Sequence, residues 1–128
     1  VNPSPEGSAE PAARSELDAL RDALRAFAAE RDWDRFHTPK NLAAALAVEA
    51  AELLEPFQWL TAEESAALTP AQRASVCEEM ADVLLYLVRL ADRLDVDLLA
   101  AARDKIRRNA ERYPVDKARG SARKYDAL

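Results

Sequence analysis

Residues 69–94 read TPAQRASVCEEMADVLLYLVRLADRL. Thr69, Pro70 and Gln72 make a helix start: a hydroxyl cap, a proline where no amide is needed, and a third-position side chain able to bond back to the cap. Beyond them Val76, Met80, Val83, Leu84, Leu87, Leu90 and Leu94 recur at helical spacing, which predicts one long helix over about 70–94 with a wide buried face. Working outward, Thr38 and Pro39 repeat the cap and proline signal before Leu42, Leu46, Leu53, Phe57 and Leu60, and Pro56 is expected to kink or end that helix. Ser15 and Asp18 cap an earlier helix carrying Leu17, Leu20, Leu24 and Phe27 and ending near Asp32. Thr61 and Glu64 mark a short capped turn, and Asp95 or Asp97 starts a last helix that ends before Pro114. No repeat and no strand alternation is visible.

The expectation is an all-α bundle of four main helices over residues 15–114, after a flexible lead (1–14) rich in Pro, Ser, Ala and Glu and before a basic tail (115–128). A chain of 128 residues is the length of one domain. Gly7 and Gly120 are its only glycines, so neither a phosphate loop nor a dinucleotide fingerprint can be written. A net charge of −5 disfavours indiscriminate attraction to duplex nucleic acid. Yet Arg103, Lys105, Arg107, Arg108, Arg112, Lys117, Arg119, Arg123 and Lys124 gather in the last part of the chain, where local positive charge can meet phosphate. With Cys77 and His37 each the sole residue of its type, no zinc cluster can form. Cys77 itself reads as a small core residue. No uncharged run approaches the roughly 20 residues that cross a bilayer, and the N-terminal stretch lacks the basic and apolar regions of a secretion signal. A cytoplasmic protein with no membrane and no stable nucleic-acid partner is expected.

Carboxylates interrupt the apolar faces. Glu49 follows Leu46 by three residues and precedes Leu53 by four, and Glu52 lies one turn on. Glu79 and Asp82 repeat the spacing among Met80, Val83 and Leu84. Acidic pairs three apart are common on solvated helices, and a single pair argues for little. Two pairs leaning inward from antiparallel helices carry a heavier electrostatic cost, which a shared Mg²⁺, or alternatively Mn²⁺, relieves with hard oxygen ligands. Helical di-iron sites use Glu-x-x-His, and here Asp34 stands three residues before His37. A divalent ion suits phosphoanhydride hydrolysis, because it neutralises phosphate oxygens and lowers the pKa of attacking water.

At this point FAAERDWDRFHTPKNLAAALAVEAAELLEPFQW (27–59), EEMADVLLYLVRLADRLDVDL (78–98), KIRRNAERYP (105–114) and SARKY (121–125) together resemble the all-helical nucleoside triphosphate pyrophosphohydrolases of the MazG-like group, especially its dCTP pyrophosphatase branch. The resemblance implies that Glu49, Glu52, Glu79 and Asp82 bind Mg²⁺ and carry catalysis, with Glu49 or Glu52 orienting or deprotonating the water. It implies cleavage between the alpha and beta phosphates to a monophosphate and pyrophosphate. It places His37, Trp59 and Tyr86 around the base or sugar, with Trp33 as a wall, and Lys105, Asn109 and Tyr113 near polar groups of the substrate. It further implies a homodimer or homotetramer in which Arg123, Lys124 and Tyr125 complete a neighbouring subunit's phosphate pocket. The glycines often found around the first acidic motif are replaced by Val48 and Ala51, which stiffens that helix and leaves base preference open. Competing readings are a hydrolase of another nucleoside triphosphate or pyrophosphate metabolite, and a non-catalytic helical interaction module whose aromatics are core and whose acids are solvated.

Overall fold

The computed structural model describes residues 14–128. The expected N-terminal lead lies outside the described residues except for Arg14, whose guanidinium pairs with Asp22. The elements run α1 (Glu16–Glu30), α2 (Pro39–Leu54), α3 (Ala62–Ser65), α4 (Pro70–Arg93), α5 (Leu98–Arg112) and α6 (Val115–Ala118), then a 3₁₀ turn at Tyr125–Ala127. Among the described residues there is no strand, and four long helices with two short ones give the all-α architecture.

Local chemistry sets the boundaries. Ser15, Thr61 and Thr69 each form reciprocal capping boxes with Asp18, Glu64 and Gln72, while Thr38 caps Asn41 and Asp97 caps Ala100. Pro56 ends α2 rather than kinking it: the helix stops at Leu54, and the chain continues in turns closed by Phe57 and Gln58 amides on the Leu54 carbonyl. α1 and α4 finish alike. The Trp33 amide returns 2.9 Å to the Ala28 carbonyl and the Val96 amide 2.8 Å to that of Ala91, with Asp32 and Asp95 each at φ 54°. In a chain so poor in glycine, aspartate takes the left-handed position that closes the helix.

α4 is the axis of the fold, packed extensively by α2 and by α1. The core at those seams is small: Ala28, Leu42, Val76, Val88 and Ala91. The α4 face is narrower than its periodicity predicts, since Met80, Leu84, Leu87 and Leu94 are exposed in the single chain. Periodicity marks an apolar face, and the neighbouring helices cover only part of it. α5 has no buried residue and leaves Leu99 and Ile106 open. Cys77, read as core, is exposed on α4.

Candidate active site

Packing α2 against α4 brings the two acidic pairs to one seam. Carboxylate oxygens of Glu49, Glu79 and Asp82 lie within 4.8 Å of one another. Oε2 of Glu49 and Oε2 of Glu79 are shielded from solvent and have no hydrogen-bond partner among the described residues. Glu52 stands outside this trio but within hydrogen-bonding reach of both glutamates. Loss of hydration, then Glu52, and then the charges of Asp82 and Glu79 push the Glu49 carboxyl up to about 7, while loss of hydration, then the charges of Glu52 and Asp82, raise Glu79. Orphaned oxygens, mutual repulsion and an all-carboxylate donor set fit a hard divalent cation.

The sign of this strain is testable. A carboxylate whose folded pKa lies above its unfolded value of 4.5 favours the native state at low pH, and that contribution disappears as pH rises through about 7. Metal-free protein is therefore expected to lose thermal stability across this window. Mg²⁺ should reverse the loss, with most effect above pH 7, and melting curves across pH with EDTA or Mg²⁺ check it.

Beside the acids lies a cavity of about 160 Å³ lined by Leu24, Phe27, Trp33, His37, Leu85, Tyr86, Arg89 and by Asp82 itself. The turn closing α1 delivers Trp33 into it, with the indole edge-on to Phe27 at 5.7 Å and to the His37 ring at 6.1 Å. Of the residues expected around a base, the structure thus brings Trp33, His37 and Tyr86 together beside the acids. Trp59 is not in that lining; it stands after α2 with 85% of its surface exposed. Lys105 and Asn109 are exposed on α5. Tyr113 meets Tyr125 edge-on at 6.2 Å, and the Arg112 guanidinium lies 5.0 Å from the Tyr125 ring, so the tail rests on the end of its own α5. Arg123 and Lys124 are exposed there.

A buried charge network escaped the reading of the sequence. Arg89 on α4 is buried; its guanidinium reaches Asp34, Asp92 and the His37 ring, and Arg25 of α1 grips Asp92 through both carboxylate oxygens. The signal was present: Arg89 lies seven residues beyond Asp82 on the same α4 face, a charge interrupting an apolar stripe as the acids do. Burial, and then the Arg89 charge, hold the His37 pKa below its ordinary value.

Similarity to known proteins converges on these elements. The MazG-like family pattern matches residues 44–128, which include all four acids. The chain is 49% identical to dCTP pyrophosphatase 1 of Bos taurus over 114 residues, 88% of this chain and 68% of the relative. It is 48% identical to dCTP pyrophosphatase 1 of Homo sapiens, over 88% of this chain and 67% of that one. A crystal structure of a pyrophosphatase from Archaeoglobus fulgidus superposes with a TM-score of 0.75 at 37% identity, covering 83% of this chain and 99% of the other. The helical architecture, the pattern running through both acidic helices and the near-half identity agree: the chain belongs to the MazG-like family.

Proposed function

We propose that this chain is a divalent-cation-dependent nucleoside triphosphate pyrophosphohydrolase that converts dCTP, or a modified dCTP, to the monophosphate and pyrophosphate. The observation that carries it is the Glu49, Glu79 and Asp82 trio, with two shielded and unpartnered oxygens, opening beside an aromatic cavity. Relatives named for dCTP pyrophosphatase activity support the substrate.

Glu49, Glu79 and Asp82 would hold the cation, with Mg²⁺ the expected ion and Mn²⁺ the alternative. When bound, such an ion supplies charge neutralisation for phosphate oxygens and a lower pKa for water. Glu52, beside the trio but outside it, takes the proton of the attacking water. Water adds across the bond between the alpha and beta phosphates, and pyrophosphate leaves. The cavity is too small for a drug-sized ligand, roughly 300 Å³ or more, and suits one flat ring between Trp33, Tyr86 and His37. Trp59 caps that ring from outside, while Lys105, Asn109 and Tyr113 meet polar groups of the substrate. Exposed Met80, Leu84 and Leu87 of α4 with Leu99 and Ile106 of α5 form the apolar surface on which copies associate as a dimer or tetramer. In that assembly Arg123, Lys124 and Tyr125 reach a neighbouring phosphate site. No helix among the described residues is long and apolar enough to cross a membrane. The free thiol of Cys77 fits a reducing compartment, and on that ground the cytoplasm is the proposed location.

The test is incubation with each deoxynucleoside triphosphate, with and without Mg²⁺, resolving mono- and diphosphate, pyrophosphate and phosphate. Mg²⁺-dependent dCMP and pyrophosphate are expected. Diphosphate with phosphate, or release indifferent to the cation, contradicts the reading. Trp59→Ala is expected to raise KM for dCTP about tenfold, the worth of one stacked base, and to leave thermal stability nearly unchanged because the side chain is exposed. Equal losses on every base would remove Trp59 from base selection.

A further inference from the structure

Arg89 does more than fill the core. Its Nε donates to Nδ1 of His37 at 3.1 Å, while its terminal nitrogens donate to Asp34 at 2.5 Å and to Asp92 at 3.2 Å. Arginine stays protonated in proteins, so this Nε is always a donor and the nitrogen facing it must carry no proton. A protonated imidazole, or one with its hydrogen on Nδ1, would set N–H against N–H. The ring's backbone is held too: Arg93 Nε donates to the His37 carbonyl at 3.1 Å, and the His37 amide donates to the Trp33 carbonyl at 3.1 Å. The clamp is itself fixed, because Arg89 is 5% exposed and Asp92 is also gripped by Arg25.

We infer that Arg89 is a positioning residue that locks His37 as the Nε2–H tautomer, so that the cavity presents a fixed donor and selects a nucleobase offering an acceptor there. The inference rests on the reading of the cavity as a base pocket. Its consequence is selectivity among pyrimidines. At ring position 3 cytosine offers an acceptor nitrogen whereas thymine and uracil place an N–H there; the O2 acceptor is common to all three, so it is the donor facing position 3 that discriminates. A histidine free to exchange tautomers could accept from that N–H; one held by Arg89 cannot.

His37 is the only histidine, so one imidazole appears in a long-range ¹H–¹⁵N spectrum of ¹⁵N-histidine-labelled protein. The substrate-free enzyme should show a single Nε2–H tautomer. Arg89→Lys, which keeps the charge but loses the planar fork, should show both tautomers. It should also reduce the kcat/KM preference for dCTP over dTTP about tenfold, through KM with kcat nearly unchanged. Because Arg89 is buried, Asp34→Asn serves as a second variant: half-exposed Asp34 orients the guanidinium from the surface, and its loss should shift the tautomer balance the same way in a folded protein. Wild-type His37 with hydrogen on Nδ1 or in a mixture overturns the inference. So does a folded Arg89→Lys or Asp34→Asn protein with unchanged tautomer, or a mixed tautomer with unchanged base preference. The spectrum is recorded without substrate, so a failure to release pyrophosphate from dCTP counts against the proposed function and leaves the tautomer result standing.

Discussion

Glu49→Gln is expected to lower kcat/KM for dCTP by at least about a hundredfold, while the metal-free protein becomes no less stable at neutral pH. The opposite signs follow from one cause. In the metal-free fold the Glu49 carboxyl loses hydration, faces Glu52, Asp82 and Glu79, and is pushed up to about 7. An amide of the same shape removes that repulsion but is a weak ligand for a hard cation. The Mg²⁺-induced rise in melting temperature should shrink with the activity. Parallel kinetics and melting curves, with and without Mg²⁺, measure both. A variant that lost activity only by unfolding would show a lowered melting temperature in EDTA, which is the reverse of this expectation.

Asp92→Ala is expected to destabilise the fold by about 3 kcal/mol, read from denaturant titration. Asp92 has a side chain only 6% exposed and receives Arg25 and Arg89 from two helices, so its loss leaves Arg89 charged in the core with Asp34 alone. Asp34→Ala, at a side chain 52% exposed, should cost under about 1 kcal/mol. The pH dependence is the mirror of that at Glu49. Hydrogen bonds from Arg25, then the charges of Arg25 and Arg89, hold the Asp92 pKa below its ordinary 3.8. The stabilisation is therefore complete above that value and disappears as pH falls through the depressed one. The variant should lose this acid limb and keep the decline toward neutral pH that belongs to the acidic seam.

What was legible in the sequence was what local chemistry decides. Thr38 with Pro39, and Thr69 with Pro70 and Gln72, start their helices where their side chains say, because a cap needs only its own first turn. Glu49, Glu52, Glu79 and Asp82 stand out because a charge inside an apolar stripe must be answered by something, and the fold brings three of them, Glu49, Glu79 and Asp82, together with Glu52 outside the trio. The same logic applied to Arg89 would have found the second network, but an arginine is so often the snorkelling edge of a stripe that nothing set it apart. The apolar spacing of α4 predicts a wide buried face. Spacing alone cannot say that Met80, Leu84, Leu87 and Leu94 lack a partner within one chain. Cys77 reads as core because its side chain is small and apolar and nothing near it in sequence demands a thiolate, yet it lies exposed on α4. Nor did a sequence with two glycines announce Asp32 and Asp95 as left-handed helix ends, since aspartate there competes with its commoner use as a cap. The cavity was implied only by resemblance, because its walls come from α1, the loop after it and α4.

The proposed chemistry requires that carboxylates from α2 and α4 hold one divalent cation. Mn²⁺ titration followed by electron paramagnetic resonance tests it most directly. The free Mn²⁺ signal should fall on adding the wild-type protein, return on addition of Mg²⁺, and persist when Glu49→Gln or Glu79→Gln protein is added instead. Equal Mn²⁺ uptake by all three proteins, or none by the wild type with dCTP present, would contradict the account.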